Sequence, residues 1–412
     1  MANQIDTSDL ITKATAYGFK NQLKFAGKIT QEYSDEFLNK EFTPGDTVKV
    51  RMPVRWTVSR GQAYQEQSIQ ETFVPVTVDQ QSHIDMGFST MQETLDIREI
   101  RERYIMPQTE FLANDVDAYA YSATALDVFN AVGSPGVTPT LALTYLQAGV
   151  KLTNQAVGKA GRIATLNPLS MATLSVAGAT YFAPQGAIAE QYRTGQQSQD
   201  TIAIADWNEE SNVHSYTTGS FTASTPIVNS ANQTGSSLIT DGWASSAATL
   251  QVGDTFTIGG VYTVNPQSPG VHTGQLQDFV VTAASTSVGV DMTISISPNI
   301  IPSGPLQTVT NSPADNAVIT VRGATSASSG TMAATVSAQN LIFNKNFATL
   351  VTVDLAKPNG GAEVGRISSK QMALAMRLVK QYDIDADKNK TRVDVAYGVK
   401  TLQARLAARI YA

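Results

Sequence analysis

From Gly45 to Val58 apolar and polar residues alternate, placing Val48, Val50, Met52, Val54, Trp56 and Val58 on one side, and this period of two predicts a strand. Ile69–Phe88 supplies its mate, alternating at Val74, Val76 and Val78, with Pro75 suited to an edge. The polar Ser59–Ser68 between them makes the pair a long ribbon with a turn-like tip. An isolated hairpin of that length is marginal in water, so the ribbon is expected to lie on something else. Between Met91 and Asn130 the period becomes helical. Ile97, Ile100 and Tyr104 share one face there, while Arg98, Glu99, Arg101, Glu102 and Arg103 keep the other wet. Pro107 suits the first turn of a new helix. Beyond it Leu112, Val116, Tyr119, Ala123 and Leu126 form a stripe expected to run until Gly133, Ser134 and Pro135 stop it. A second helix is predicted from Pro139 to Gly158, with Leu143, Leu146, Val150 and Val157 facing one way.

The remaining segments read more briefly. Residues 1–43 form an arm with scattered apolar residues such as Phe19, Leu23 and Phe25, too few to close a core, so the arm needs a partner to pack on. Arg162–Leu166 is a buried-type strand, Asn167-Pro168 a turn, and Leu169–Val176 and Gly186–Gly195 are short helices. The composition then shifts. Ser211–Asn340 holds one basic residue, Arg322, against five aspartates, and is dominated by Ser, Thr, Gly and Ala. Short strands are predicted inside it at Asp254–Val264 (with a hairpin turn at Gly259-Gly260), Gln277–Thr282, Val288–Ser297 and Ala317–Arg322, the pattern of a small barrel or sandwich. Past Asn340 come strands at Leu341–Phe343 and Thr349–Val353, a hairpin of Ala373–Tyr382 with Thr391–Val399, and Leu402–Ile410. The class is α+β, one domain interrupted by a β-rich insertion.

Composition narrows the chemistry. With 412 residues, 42% hydrophobic and 16% charged, the chain is long enough for two or three cored domains. No run approaches the roughly 18 apolar residues of a membrane span, and Met1–Lys20 lacks a signal-peptide pattern, so no membrane partner is expected. Zero cysteines exclude disulfides and thiolate chemistry. A net charge of −6 offers no global attraction to nucleic acid. His83, His214 and His272 lie in no ligand spacing, and no phosphate-cradling or nucleophile motif is present. Asp383, Asp385, Asp387 and Asp394 approach a calcium-loop count, but Lys388 stands where glycine is needed, so a charged hairpin turn is the simpler reading. Glu209-Glu210 falls in a linker without a sugar platform. No catalytic, cofactor or metal site is expected, and the chain is read as a non-enzyme.

The order of parts carries more than any single motif: arm, ribbon, kinked helix, split α+β domain, closing hairpin. With V-K-V-R-M-P-V (Val48–Val54), V-D-Q-Q-S-H-I-D-M-G-F (Val78–Phe88), Asn167-Pro168, A-E-Q-Y-R-T-G (Ala189–Gly195) and G-D-T-F-T-I-G-G-V (Gly253–Val261), the chain resembles the major capsid proteins of tailed bacteriophages, a fold shared with herpesviruses. It is more closely similar to the podovirus coat family of Salmonella-phage type, whose members carry an inserted β-barrel. The resemblance spans nearly the whole chain. It implies an N-terminal arm (1–43), an extended loop (44–86), a spine helix (87–133), the first part of an axial domain (134–210), the inserted barrel (211–340) and the axial and peripheral remainder (341–412).

It also implies a subunit that assembles with itself, as hexamers and pentamers, into an icosahedral shell around double-stranded DNA, held nonspecifically. A scaffolding protein and a portal protein are the other implied partners. Such a shell is a virion component assembled in the host bacterial cytoplasm. Arg55, Trp56, Arg60, Tyr64 and Glu66 on the loop, and Arg98, Arg101, Glu102 and Arg103 on the helix, are the expected assembly contacts. Gly87, Gly133–Gly136 and Gly158–Gly161 would be the joints that let one chain fit several environments. Because Ser59–Ser68 has no lysine, a covalent cross-link at the loop is not expected, and the short arm predicts a separate scaffolding protein. The alternative is a β-rich surface or glycan-binding protein, which would need aromatics such as Trp243 and Tyr262 exposed on one face.

Overall fold

The computed structural model describes residues 15–16, 18–20, 22–33, 47–52, 56, 61–62, 64, 66, 73–89, 106–181, 193–195, 202, 204–244, 247–268, 272–325, 330–358, 362–369 and 374–412. The chain forms two compact units, Met1–Met52 with Phe73–Tyr121 and Ala348–Leu402, and Pro53–Thr72 with Ser122–Phe347 and Gln403–Ala412. It is α+β, as the periodicities predict, with three six-stranded sheets among the described residues, one of them a nearly closed barrel.

In the first unit the organising element is the strand Lys388–Thr401. Along one edge it pairs with Leu374–Asp383 and then with Ala348–Val353. The other edge takes Gln80–Ser89. Val393–Gly398 is buried on both faces, which is why this run lacks the usual alternation. Within it the fully buried Asp394 takes two bonds from the Arg377 guanidinium, one of 3.0 Å from Nε, and a third of 3.1 Å from Gln81. The predicted C-terminal hairpin is therefore present, extended to Asp383 and Lys388. Its turn aspartates are held by Lys390 on Asp383, and the Tyr382 hydroxyl donates to Asp387 at 2.8 Å.

Two expectations for this unit need correction. Thr47–Arg51 pairs with Phe73–Thr77, as the alternation requires, but Gln80–Ser89 leaves the ribbon and joins the sheet. The long mate predicted at Ile69–Phe88 is thus two strands with a break at Val78-Asp79. At the ribbon base Val50, Val76 and Val78 pack on Val351, Val353 and Ala396, so this part lies on its own chain.

The arm is the second correction. Among its described residues Phe19, Phe25, Ala26 and Ile29 are fully buried, and Thr30–Tyr33 adds a parallel strand to Ala348–Val353. The partner it needs is this same chain. Its anchor is helix α1 (Met106–Ala125), where buried Asp117 accepts the Lys24 and Ala26 amides at 2.6 and 2.8 Å and Tyr121 meets the Phe25 ring at 4.6 Å. Replacing Asp117 by alanine strands two amides. That is expected to loosen the arm by about 1–3 kcal/mol and to speed tryptic cleavage at Lys20, Lys24 and Lys28, read on a gel. Cleavage at the parental rate would show that the clasp is dispensable.

α1 begins at Met106 with Pro107 in its first turn, as predicted, but ends at Ala125 rather than near Gly133, and Ala131–Val132 is a short strand. Leu112 and Val116 are buried, while Tyr119 and Ala123 sit at the flank because Ala113, Ala120 and Tyr121 define the inner face. The charged half of the predicted helix, Ile97–Tyr104, lies outside the described residues.

Among the described residues the second unit contains two six-stranded sheets and two short two-stranded pairings. One runs Ala131–Val132, Ala407–Tyr411, Val336–Asn344, Arg162–Leu166, Asp206–Glu209, with Ser215–Thr217 also on Val336–Asn344. Helices α2 (Ala142–Asn154) and α3 (Pro168–Tyr181) join its core, where Tyr145, Leu152, Met171 and Leu174 meet Leu166, Trp207, Ile342 and Ile410. Asn167-Pro168 is a helix start rather than a turn. Asn167 Oδ1 accepts the Ser170 amide at 3.0 Å, and Pro168 occupies the first helical position. Glu209 belongs to a strand and Glu210 is buried, not a linker pair. Of Gly186–Gly195 only residues 193–195 are described.

The other sheet has six strands, ordered Ile227–Val228, Gly235–Asp241, Met292–Ile300, His272–Ala283, Thr255–Val264, Ile319–Val321. A bridge between Ile227 and Val318 nearly closes it into a barrel. Phe256, Ile258, Phe279, Val281, Ile294, Ile296 and Ile319 fill the interior. Gly259-Gly260 is not a hairpin turn. Thr255–Val264 runs straight through it with a register shift between Thr257 and Tyr262, which glycines allow because Gly260 takes φ +78°.

Candidate functional site

The described residues contain no group of three His, Cys, Asp or Glu side chains able to hold a metal. His83 Nε2 lies 3.5 Å from Asp85 on a solvent-facing strand. His214 is half-buried, and burial pushes its pKa down. A pocket lined by Asn130, Lys151, Gln155, Thr263 and Asp278 has a cavity of about 10 Å³, room for one water. No helix of the described residues is long and apolar enough to cross a membrane.

Buried polar clusters fasten the second unit together. Around Asp278, 3% exposed, Lys151 Nζ donates to its carboxylate and to Ala131 O (2.8 Å), and Arg322 donates to it at 3.1 Å and to Gly133 O at 3.3 Å. Burial lowers the Lys151 pKa, while the Asp278 charge opposes that shift. In a second cluster the Arg409 guanidinium, fully buried, lies over the rings of Tyr216 and Tyr411, 5.8 and 5.1 Å from their centroids. Asp254 accepts the Gly219 and Gln251 amides at 3.0 and 2.8 Å and the Tyr216 hydroxyl at 3.2 Å. Burial pushes the Asp254 carboxyl and the Tyr216 hydroxyl up. These groups come from segments far apart in the chain, and no local spacing betrays them. A single basic residue in an acidic stretch, Arg322, was the one visible signal.

Of the expected assembly contacts, Tyr64 is 87% and Trp56 59% exposed, and Glu66 is exposed too. Arg55, Arg60, Arg98, Arg101, Glu102 and Arg103 lie outside the described residues. Sequence reasoning missed a further exposed surface on α2, because the face of Leu143, Leu146 and Val150 points to solvent while Ala142, Tyr145, Ala148 and Leu152 face the core. The aromatic platform required by a glycan-binding reading is missing at Trp243. That side chain is 2% exposed, donates to Thr240 Oγ1 at 2.8 Å and packs edge-on to Phe221 in the barrel core.

No curated protein matches the chain. Among solved structures, one from Mycobacterium phage Che8 is 13% identical, covering 94% of this chain and 90% of that one at a TM-score of 0.44. The capsid of Ralstonia phage GP4 is 9% identical, covering 94% and 88% at 0.44. The asymmetric unit of the bacteriophage PhiM1 mature capsid is 8% identical, covering 94% and 86% at 0.43. All three are distant likenesses, and the assignment rests on the sequence: the family model described as P22 coat protein, gene protein 5, matches residues 1–408. The chain therefore belongs to the P22 coat protein family and is a major capsid protein of a tailed bacteriophage.

Proposed function

We propose that this subunit closes its shell through the tip of the extended loop and the charged half of the spine segment, each reaching a neighbouring copy in a hexamer or pentamer. The observation that supports this is the exposure of two large aromatics, Trp56 and Tyr64, on a segment whose base is already packed. Large aromatics left exposed to water are the residue types that anchor interfaces. Arg55, Arg60 and Glu66 would surround them, and Arg98, Arg101, Glu102 and Arg103 would make paired-charge contacts. Residues 211–340 would act as an inserted domain stapled to its host through Asp278 and Asp254. A scaffolding protein would guide assembly in the host cytoplasm and a portal would occupy one vertex, while DNA would be held without sequence preference. The role is structural and not enzymatic.

Trp56→Ala with Tyr64→Ala tests the proposal. Removing two interface anchors should cost about 2 kcal/mol or more per contact, and repetition around each subunit multiplies the loss. Shell yield from cells supplying the scaffolding partner is expected to collapse while the far-ultraviolet circular dichroism of the free subunit stays parental. Normal yields of closed shells would remove the loop tip from the interface.

A further inference from the structure

We propose that three lysines of the arm, Lys20, Lys24 and Lys28, form a surface that meets the phosphates of double-stranded DNA inside the shell. This rests on the shell reading above and names the residues that make its DNA contact. Residues 10–31 hold four lysines and no aspartate or glutamate; the fourth, Lys13, lies outside the described residues. The chain as a whole carries a net charge of −6, so its overall field repels a polyanion. Any contact with one has to come from a local concentration of positive charge.

Packing sorts the arm into two sides. Phe19, Leu23, Phe25, Ala26 and Ile29 are buried, whereas Lys24 is exposed and Lys20 and Lys28, four residues to either side of it, are half-buried. A long lysine stem can lie along apolar surface while its ammonium group stays in water. The segment is also held in place. Asp117 spends both carboxylate oxygens on the Lys24 and Ala26 amides, Gln22 donates to Glu110 at 3.0 Å, and Thr30–Tyr33 is fixed as a strand. Such a surface is ordered in advance, so a contact on it costs little further chain entropy. Residues 364–382 also carry four basic side chains and no acid, but there Arg377 is turned in to the buried Asp394.

The chemistry selects the occupant. Lysines are point charges on flexible stems, suited to following a phosphate backbone and without the planar fork that reads base edges. The arm's aromatics Phe19 and Phe25 are buried, so they offer no platform on which bases could stack. Duplex DNA carries roughly one negative charge per 1.7 Å of its axis, and a shell subunit that encloses it meets this charge at high concentration. The contact is then electrostatic and independent of base sequence.

The test needs no substitution. Acetylation of each lysine is followed by mass spectrometry on particles before and after release of their DNA, so that the shell is the same in both states. An amine beside phosphate is shielded and held protonated, and one unit of pKa is tenfold in the reactive neutral form. Lys20, Lys24 and Lys28 are therefore expected to react at least about fivefold more slowly in the filled particle. Lys390, 62% exposed and paired with Asp383 at the hairpin turn, should keep its rate. Equal rates for the three arm lysines, with other lysines slowed by DNA, overturn the assignment and leave the DNA contact standing elsewhere. Equal rates for every lysine overturn the DNA contact itself. Slowing found in DNA-free shells that still hold scaffolding protein, and absent from filled particles, overturns the proposal and gives the lysines to that protein. A chain that forms no particles at all fails the shell reading before the arm is in question.

Discussion

Asp278→Ala is expected to destabilise the subunit by about 3–5 kcal/mol, the cost of leaving buried charge without its partner. The carboxylate is 3% exposed and is the shared acceptor for Lys151 and Arg322, themselves 18% and 25% exposed. Without it two cations sit close together in a site that water reaches poorly. Urea unfolding followed by tryptophan fluorescence measures the loss. Replacing the whole group, Lys151→Met with Asp278→Leu and Arg322→Met, should restore most of the stability, because apolar side chains of similar volume carry no desolvation penalty.

The pH dependence has a definite sign. Burial already holds Lys151 below its ordinary value of 10.5, and removing Asp278 takes away the charge that opposes the shift. Between the lowered and the ordinary lysine pKa the unfolded chain binds more protons than the folded one, so the stability of Asp278→Ala rises with pH across that window. A flat profile there, or a loss below 1 kcal/mol, would mean that Lys151 and Arg322 find other partners or water on relaxing.

Gly398→Ala is the second large effect, expected at about 3 kcal/mol, the upper end of overpacking costs. A Cβ at that position would lie 2.2 Å from Thr77 O, 2.9 Å from Thr77 C and 3.0 Å from Val78 Cα. All three are backbone atoms, so no side-chain rotation relieves the clash. The ribbon end at Thr77-Val78 must move off the sheet, and with it the Val50, Val76 and Val78 contacts. A lower urea midpoint and faster proteolysis within residues 45–77 are the expected readouts. Gly158→Ala is the control, since an added Cβ there meets nothing within 4 Å. A Gly398→Ala chain as stable as the parent would falsify the close seating of the ribbon base.

Much of the architecture was legible along the chain. The alternation at Thr47–Arg51 and Phe73–Thr77, the Pro107 start of α1, the acidic β-rich stretch and the closing hairpin all appear where local patterns place them. Those signals are short-range: a period of two or 3.6, a proline that suits one helical position, a shift in composition. The order of parts, with the family match, was enough to name a capsid subunit.

Long-range pairing had to be seen in three dimensions. α2 has apolar residues on both sides, so its period alone cannot say that Tyr145 and Leu152 are inside while Leu146 and Val150 are out; the sheet packed on one side makes that choice. The arm looked unable to bury itself because its few aromatics find cover in α1, some ninety residues away, through Asp117 and Tyr121. Gln80–Ser89 reads as a continuation of the ribbon until the open edge of Lys388–Thr401 claims its backbone hydrogen bonds. Asp278, Lys151 and Arg322 give no shared local pattern, because an ion cluster depends on distance through the core and not on spacing along the chain.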